Sequence, residues 1–133
     1  MIVLDASAAI EWLLQTGVGR RIEQRLFAEG ETLHAPYLLD VEVAQVLRRF
    51  AAAGRITSER GLAALDDLTD LGAVRYPHQV LLTRMWELRD NLTAYDATYV
   101  ALAEALGAVL VTCDGRLAEA PGHQARVEVF GPA

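Results

Sequence analysis

Two stretches of the chain are apolar at nearly every position and rich in β-branched residues: Ile2-Val3-Leu4 near its start and Val109-Leu110-Val111-Thr112 towards its end. Runs this short, with no polar alternation, predict strands buried on both faces. Between them the period changes. Ile22, Leu26 and Phe27 predict a helix over residues 18–28, and Val43, Val46, Leu47 and Phe50 one over 39–53. Leu62, Leu65, Leu68 and Leu71 are read as one side of a helix over 57–71. Further helices are expected over 8–14, 79–92 and 94–106, with Gly30, Gly54, Gly72 and Gly107 as stops. Shorter strands are expected over 32–35, closed by Pro36, over 74–76 and over 127–129, and a single helical turn over 114–118. Short apolar strands alternating with helices predict an α/β fold around a mainly parallel sheet. Residues 1–133 are expected to form one domain, with the last three fraying.

Composition narrows the class. With 53% hydrophobic residues the chain can build a core, which excludes intrinsic disorder. No apolar run is long enough to span a bilayer. The opening Met1-Ile2-Val3-Leu4-Asp5 has no basic region before its apolar triplet, so a secretory signal is not expected. The single cysteine, Cys113, excludes an internal disulfide and a cysteine-built zinc site, and His34, His78 and His123 show no ligand spacing. A cytoplasmic location is the expectation. His34, on a buried strand, is expected to be a hydrogen-bonded core residue; Trp12, Trp86 and the tyrosines are read as core or interface. The net charge is −6 and all 12 basic residues are arginine. An acidic chain does not advertise a nucleic-acid partner, because phosphate affinity rests on local Lys and Arg.

The acids become informative once the strands are placed. In a parallel α/β sheet the crevice lies beyond the carboxyl ends of the strands. Asp5 directly follows the first strand, and Asp114 follows the 109–112 strand by two residues. Asp96 opens the helix that feeds that strand. The helix is about 18 Å long and the strand about 13 Å, so the helix start returns to the strand's carboxyl end. Glu42 joins them if Asp40 caps its helix, and lies a turn or more deeper if the helix begins at Pro36. Two carboxylates about 5 Å apart repel by roughly 3 kcal/mol at an effective dielectric near 20. A cluster of four therefore demands protons or a divalent cation. Oxygen donors without His or Cys select Mg²⁺ or Mn²⁺ over zinc, and such an ion facing a crevice suits phosphoryl transfer.

Each acid also has a plain structural reading. Asp5 and Ser7 can cap a helix, Thr93 with Asp96 fits a capping box, Asp114-Gly115 is a turn signal, and Asp40 is assigned to capping. Glu42 can be a solvated acid in a first turn. Glu104 is read as structural. The joint placement of several acids on one edge, and no single residue, argues for chemistry.

Four segments in order strengthen that case: Val3-Leu4-Asp5-Ala6-Ser7-Ala8; Ala35-Pro36 through Val41-Glu42-Val43, with Leu47-Arg48 following; Tyr95-Asp96-Ala97-Thr98-Tyr99-Val100-Ala101-Leu102-Ala103; and Leu110-Val111-Thr112-Cys113-Asp114-Gly115-Arg116-Leu117. Together they resemble the PIN-domain nucleases, and within them the VapC-type toxins of bacterial toxin–antitoxin pairs. The resemblance covers essentially the whole chain. It implies a three-layer α/β/α sandwich and a metal-dependent endoribonuclease toxin using Mg²⁺, with Mn²⁺ able to substitute, on tRNA or rRNA. Asp5, Glu42, Asp96 and Asp114 carry over as catalytic, metal-binding acids, some through water. Ser7 and Thr112 carry over as hydroxyls that orient an acid, a water or a phosphate. A fifth acid of some relatives has no match here. The expected reaction is in-line attack by a metal-bound water, deprotonated by one acid, leaving a 5′-phosphate. The resemblance also implies a cognate antitoxin that covers the acidic crevice, toxin–antitoxin hetero-oligomers, and a homodimer in which Trp12 or the helix hairpin after Glu42 takes part.

The arginines answer the charge objection. With the four acids committed to a cation, 14 acids face 12 bases. Arg20, Arg21 and Arg25 share one helix, and Arg48, Arg49, Arg55 and Arg60 surround a hairpin; these could track an RNA backbone or simply be helix-surface residues. Arg116, two residues from Asp114, is the candidate phosphate contact. Other readings fit less well. A phosphatase with an aspartate nucleophile would want a second Asp two residues after Asp5, where Ser7 stands, and a lysine, which the chain lacks. A signalling receiver meets the same lack. A PIN-fold protein-binding scaffold without nuclease activity is the alternative that differs in class.

Overall fold

The computed structural model describes residues 1–131, so the end of the expected frayed terminus lies outside the described residues. Five strands form one sheet: β1 (Ile2–Leu4), β2 (Leu33–Pro36), β3 (Val74–Tyr76), β4 (Val109–Thr112) and β5 (Arg126–Val129). Every pairing is parallel and the order is β3-β2-β1-β4-β5. The chain therefore steps outward from β1 to β2 and β3, then returns to the other side of β1 to lay down β4 and β5. That reversal makes the gap beyond the carboxyl ends of β1 and β4 the topological switch point, where open α/β sheets place their ligands.

The helices are α1 (Ala6–Leu13), α2 (Gly17–Leu26), α3 (Leu38–Ala52), α4 (Ser58–Asp70), α5 (Leu82–Glu87, entered through a 3₁₀ turn at Gln79–Leu81), α6 (Ala94–Leu106) and α7 (Arg116–Glu119). Helices α1 to α4 pack on one another, while α6, with α5 against it, lies across β1, β2 and β4. The result is the expected three-layer α/β/α sandwich. Ile2, Val3, Leu4, Leu110 and Val111 are fully buried, as strands covered on both faces must be. No described helix is long and apolar enough to cross a membrane.

Three expectations need correction. The leucine row of α4 does not form one buried side. The helix buries Gly61, Ala64 and Leu68 and leaves Leu62 exposed. A strict three-residue step slips about 60° per interval around a 3.6-residue helix, so Leu62 and Leu71 end on opposite faces. The helix expected over 79–92 is shorter: α5 stops at Glu87, and the Asp90-Asn91 pair carries the chain through turns to Leu92. Asp40 is not a cap. Helix α3 begins after Tyr37 without a side-chain cap, and Asp40 in its first turn accepts two hydrogen bonds from Arg75, at 2.8 and 3.0 Å.

Other expectations agree with the structure. Helix α6 and β4 have the expected bounds, and Gly107 ends α6 in the left-handed conformation, φ 63°. His34 is buried and bonded through both ring nitrogens, to Thr32 at 2.8 Å and Tyr76 at 2.7 Å. Trp12 is core rather than interface: it is 9% exposed and its indole N–H donates to Glu23 at 3.1 Å. Helices α1 and α2 approach so closely that a Cβ on Gly19 would overlap the Glu11 carbonyl.

Candidate active site

Asp5 terminates β1 and caps α1. Its backbone N–H still reaches the Val111 carbonyl at 3.2 Å, so the residue continues the β1–β4 ladder while its side chain turns into the next helix. The carboxylate is 5% exposed and held at both oxygens. Oδ1 accepts from the Ser7 hydroxyl at 2.7 Å and the Ala8 N–H at 3.0 Å, and Oδ2 accepts from the Thr112 hydroxyl at 2.5 Å. The hydroxyls are themselves fixed: Ser7 Oγ accepts from the Cys113 N–H at 2.9 Å, and Thr112 Oγ1 from the Asp114 N–H at 3.0 Å. The two strand ends are thus sewn together by side chains that the parallel register, Leu4 opposite Val111, sets beside each other. Burial pushes the Asp5 carboxyl up to about 6, against the pull of its three donors, and the charge of Asp96 adds to the rise.

Glu42 lies in the second turn of α3, so the deeper of its two expected placements is correct. Its Oε1 accepts from the Tyr99 phenol at 2.5 Å. Burial raises the Glu42 pKa, the Tyr99 bond opposes this, and Asp96 reinforces it. Asp96 sits in the first turn of α6, where its N–H donates to the cap residue Thr93 at 3.2 Å. The cap and the candidate site therefore use the same residue, backbone for one and carboxylate for the other. Burial and the charge of Asp114 raise the Asp96 pKa.

Asp114 differs from the other three. Arg116 wraps it: Nε lies 3.0 and 3.1 Å from its two oxygens, Nη2 2.5 Å from Oδ2, and the Arg116 N–H 3.0 Å from Oδ1. The guanidinium holds the Asp114 pKa below its usual range. The structure thus brings Asp5, Ser7, Glu42, Asp96, Thr112, Asp114 and Arg116 to one edge of the sheet. Charge coupling runs Asp5 to Asp96, Glu42 to Asp96 and Asp96 to Asp114, which makes Asp96 the hub.

The donor set fits a hard divalent cation better than a soft one. Carboxylates and hydroxyls dominate, and burial pushes the neighbouring Cys113 thiol up to about 11. Among the described residues no three His, Cys, Asp or Glu side chains already form a metal-holding group. The acids line an open edge, and Arg116 holds Asp114.

The arginine track expected from the sequence thins out. Arg25 is paired with Glu128 at 2.8 Å and Glu31 at 3.2 Å, Arg60 donates to the Leu13 carbonyl at 2.6 Å, Arg21 donates to the Gly131 carbonyl, and Arg55 stacks on Phe50. Arg20, Arg48 and Arg49 are exposed and make no ion pair among the described residues. Glu104 is structural, as expected, gripped by Arg84 at 2.8 and 2.9 Å. Sequence reasoning missed the role of Tyr99, read with the other tyrosines as core or interface. Its spacing of three from Asp96 was the available signal, since that places both on one face of α6.

A five-stranded parallel sheet with an acidic switch point defines a class of α/β domain, and comparison with known proteins narrows it. A family model described as PIN domain matches residues 2–122. Ribonuclease VapC12 of Mycobacterium tuberculosis is 44% identical over 129 residues, which span 97% of this chain and 98% of that protein. Ribonuclease VapC9 of the same species is 46% identical over an equal span and the same shares of the two chains. Among solved structures, PAE2754 from Pyrobaculum aerophilum superposes with a TM-score of 0.70 at 25% identity, covering 96% of this chain and 83% of that one. VapBC2 from Rickettsia felis, bound to a DNA fragment from its promoter, gives 0.73 at 16% identity, over 98% and 99% of the two chains, a likeness of fold. The chain belongs to the PIN-domain family, in its VapC branch.

Proposed function

We propose that this protein is a cytoplasmic endoribonuclease toxin, dependent on Mg²⁺ or Mn²⁺ and neutralised by a cognate antitoxin. The observation that carries the reading is the crowding of half-buried and buried carboxyls at the switch point, three of them with raised pKa values. Close similarity to VapC ribonucleases over nearly the whole chain supports it. Asp5, Glu42, Asp96 and Asp114 would hold the cation, directly or through water. When bound, it supplies positive charge that stabilises the phosphorane-like transition state and acidifies a coordinated water.

The chain's own groups divide the remaining work. Ser7 and Thr112 hold both oxygens of Asp5, and Tyr99 holds one oxygen of Glu42. One of the four acids accepts the proton of the attacking water. The new bond forms between the water oxygen and phosphorus, the bond to the 3′ oxygen breaks, that oxygen takes a proton from solvent, and the products are a 3′-hydroxyl and a 5′-phosphate. Arg116, exposed beside Asp114, contacts a substrate phosphate. The antitoxin covers the acidic edge with a basic side chain in place of the cation, and the toxin pairs as a homodimer.

The test is cleavage of total cellular RNA by antitoxin-free protein with Mg²⁺, with Mn²⁺ and with EDTA, beside Asp5→Asn. Discrete fragments that vanish with EDTA and in the variant are expected. Cleavage that survives EDTA overturns the metal-dependent mechanism. No cleavage with either metal, from folded protein, favours a protein-binding scaffold.

A further inference from the structure

A groove of about 330 Å³ opens beside the acidic edge. Leu38, Val41 and Val46 of α3 and Tyr95 of α6 line it, together with Glu42 and Arg49. Val41 is 68% exposed and Tyr95 61%, an unusual exposure for a β-branched and an aromatic side chain on neighbouring helices. Neither residue is used by the site described above, although Tyr95 immediately precedes Asp96 and Val41 precedes Glu42.

Resting on the ribonuclease reading, we propose that this groove is a nucleobase subsite, in which an unpaired base adjoining the scissile phosphate stacks on Tyr95. Three features select that occupant. The groove is continuous with the acidic edge, because Glu42 belongs to both. A strand whose phosphate sits at the acids therefore carries its next base to the groove by covalent connection. The apolar wall and the Glu42 carboxylate reject a second phosphate but accept a flat neutral ring. Arg49, exposed and without an ion pair among the described residues, stands further along the same helix to meet the backbone as it leaves. Single-stranded RNA is read in this way, by bases splayed onto aromatic faces while cations track the backbone.

The experiment uses a fluorescein-labelled single-stranded octaribonucleotide and a set in which one abasic position is moved along it. Binding is measured by anisotropy on the intact Asp5→Asn protein, which is expected to bind without cutting, and on the same protein carrying Tyr95→Ala or Tyr95→Phe. One abasic position is expected to weaken binding by about five- to a hundredfold. Tyr95→Ala should weaken the unmodified octamer by a similar factor and abolish its sensitivity to that position. Tyr95→Phe should retain both, and thermal melting should be unchanged because the side chain is exposed. If the octamer binds but every abasic position is tolerated, or Tyr95→Ala binds like its parent, the subsite is overturned while the ribonuclease reading stands. If Tyr95→Ala impairs binding of the co-expressed antitoxin but not of RNA, the groove is a protein-docking site and the proposal fails. If the octamer is not bound, and the wild-type protein cuts no RNA with either metal, both readings fall together.

Discussion

The phenol of Tyr99 donates a 2.5 Å hydrogen bond to Oε1 of Glu42, joining α6 to α3 beneath the acidic edge. The ring is 2% exposed. Burial, the Glu42 bond and the charges of Glu42, Asp5 and Asp96 all raise its pKa far above the usual phenol range. A phenol that cannot ionise is an obligate donor, so one Glu42 oxygen is committed and the other is left for a cation or water. Tyr99→Phe keeps the ring and removes the donor. The expected result is a folded protein with a 10- to 100-fold loss in metal affinity or kcat/KM, the cost typical of losing a group that orients a ligand. Metal titration by calorimetry, beside steady-state kinetics, checks it; wild-type values in both would refute the positioning role.

Asp5 ties stability to pH. Its folded pKa, about 6, lies above the ordinary 3.8, so between these values the folded state binds more protons than the unfolded one. Stability from this group is therefore full below about pH 4, falls as pH rises to 6, and is level beyond. A rise of this size corresponds to about 3 kcal/mol. Asp5→Asn, which cannot ionise, should be more stable than wild type at pH 7 without cations while losing nuclease activity. Urea melts of both proteins in EDTA at pH 4 and pH 7 test this; equal pH dependence in the two would contradict it.

Cation binding should oppose the same protons. Thermal stabilisation by Mg²⁺ or Mn²⁺ is expected to be larger at pH 7 than at pH 5, because Asp5, Glu42 and Asp96 all have raised pKa values and must lose protons to bind. A shift in Tm independent of pH would place the ion elsewhere.

Arg116 is largely exposed and its partner is a carboxylate two residues away, so its ion pair adds little to stability. Arg116→Ala should leave the melting temperature close to wild type. RNA affinity should fall for all sequences alike, and the slope of log K against log salt should shrink by about 1, as for one lost phosphate contact. An unchanged salt slope would remove Arg116 from the interface.

Gly19 permits the contact of α1 with α2. Gly19→Ala forces backbone apart and should cost about 1–3 kcal/mol, read from a urea midpoint. Gly17→Ala, where an added Cβ meets nothing, is the control and should be close to neutral.

Most elements were legible because their signals are local. Thr57 and Thr93 cap the helices they are expected to open and Gly107 stops α6, whereas α1 and α2 begin at Ala6 and Gly17, slightly before their expected starts, under caps from Asp5 and Thr16. The errors came where a local pattern was ambiguous. Asp40 in a first turn looks like a cap until Arg75, from a strand 35 residues away, claims it. Leucines three apart look like a stripe until helix geometry turns the last away from the first.

The chain by itself nominated the four acids as candidates, Asp5 and Asp114 by their strand ends and Asp96 by its helix start, and left the depth of Glu42 open between two placements. Only tertiary structure decided what grips them. Thr112 reaches Asp5 across 107 residues of sequence, and Tyr99 reaches Glu42 across 57. Those partnerships depend on β4 returning beside β1 and on α6 crossing near α3. The strand order and the packing of layers decide that, and no periodicity along the chain records it.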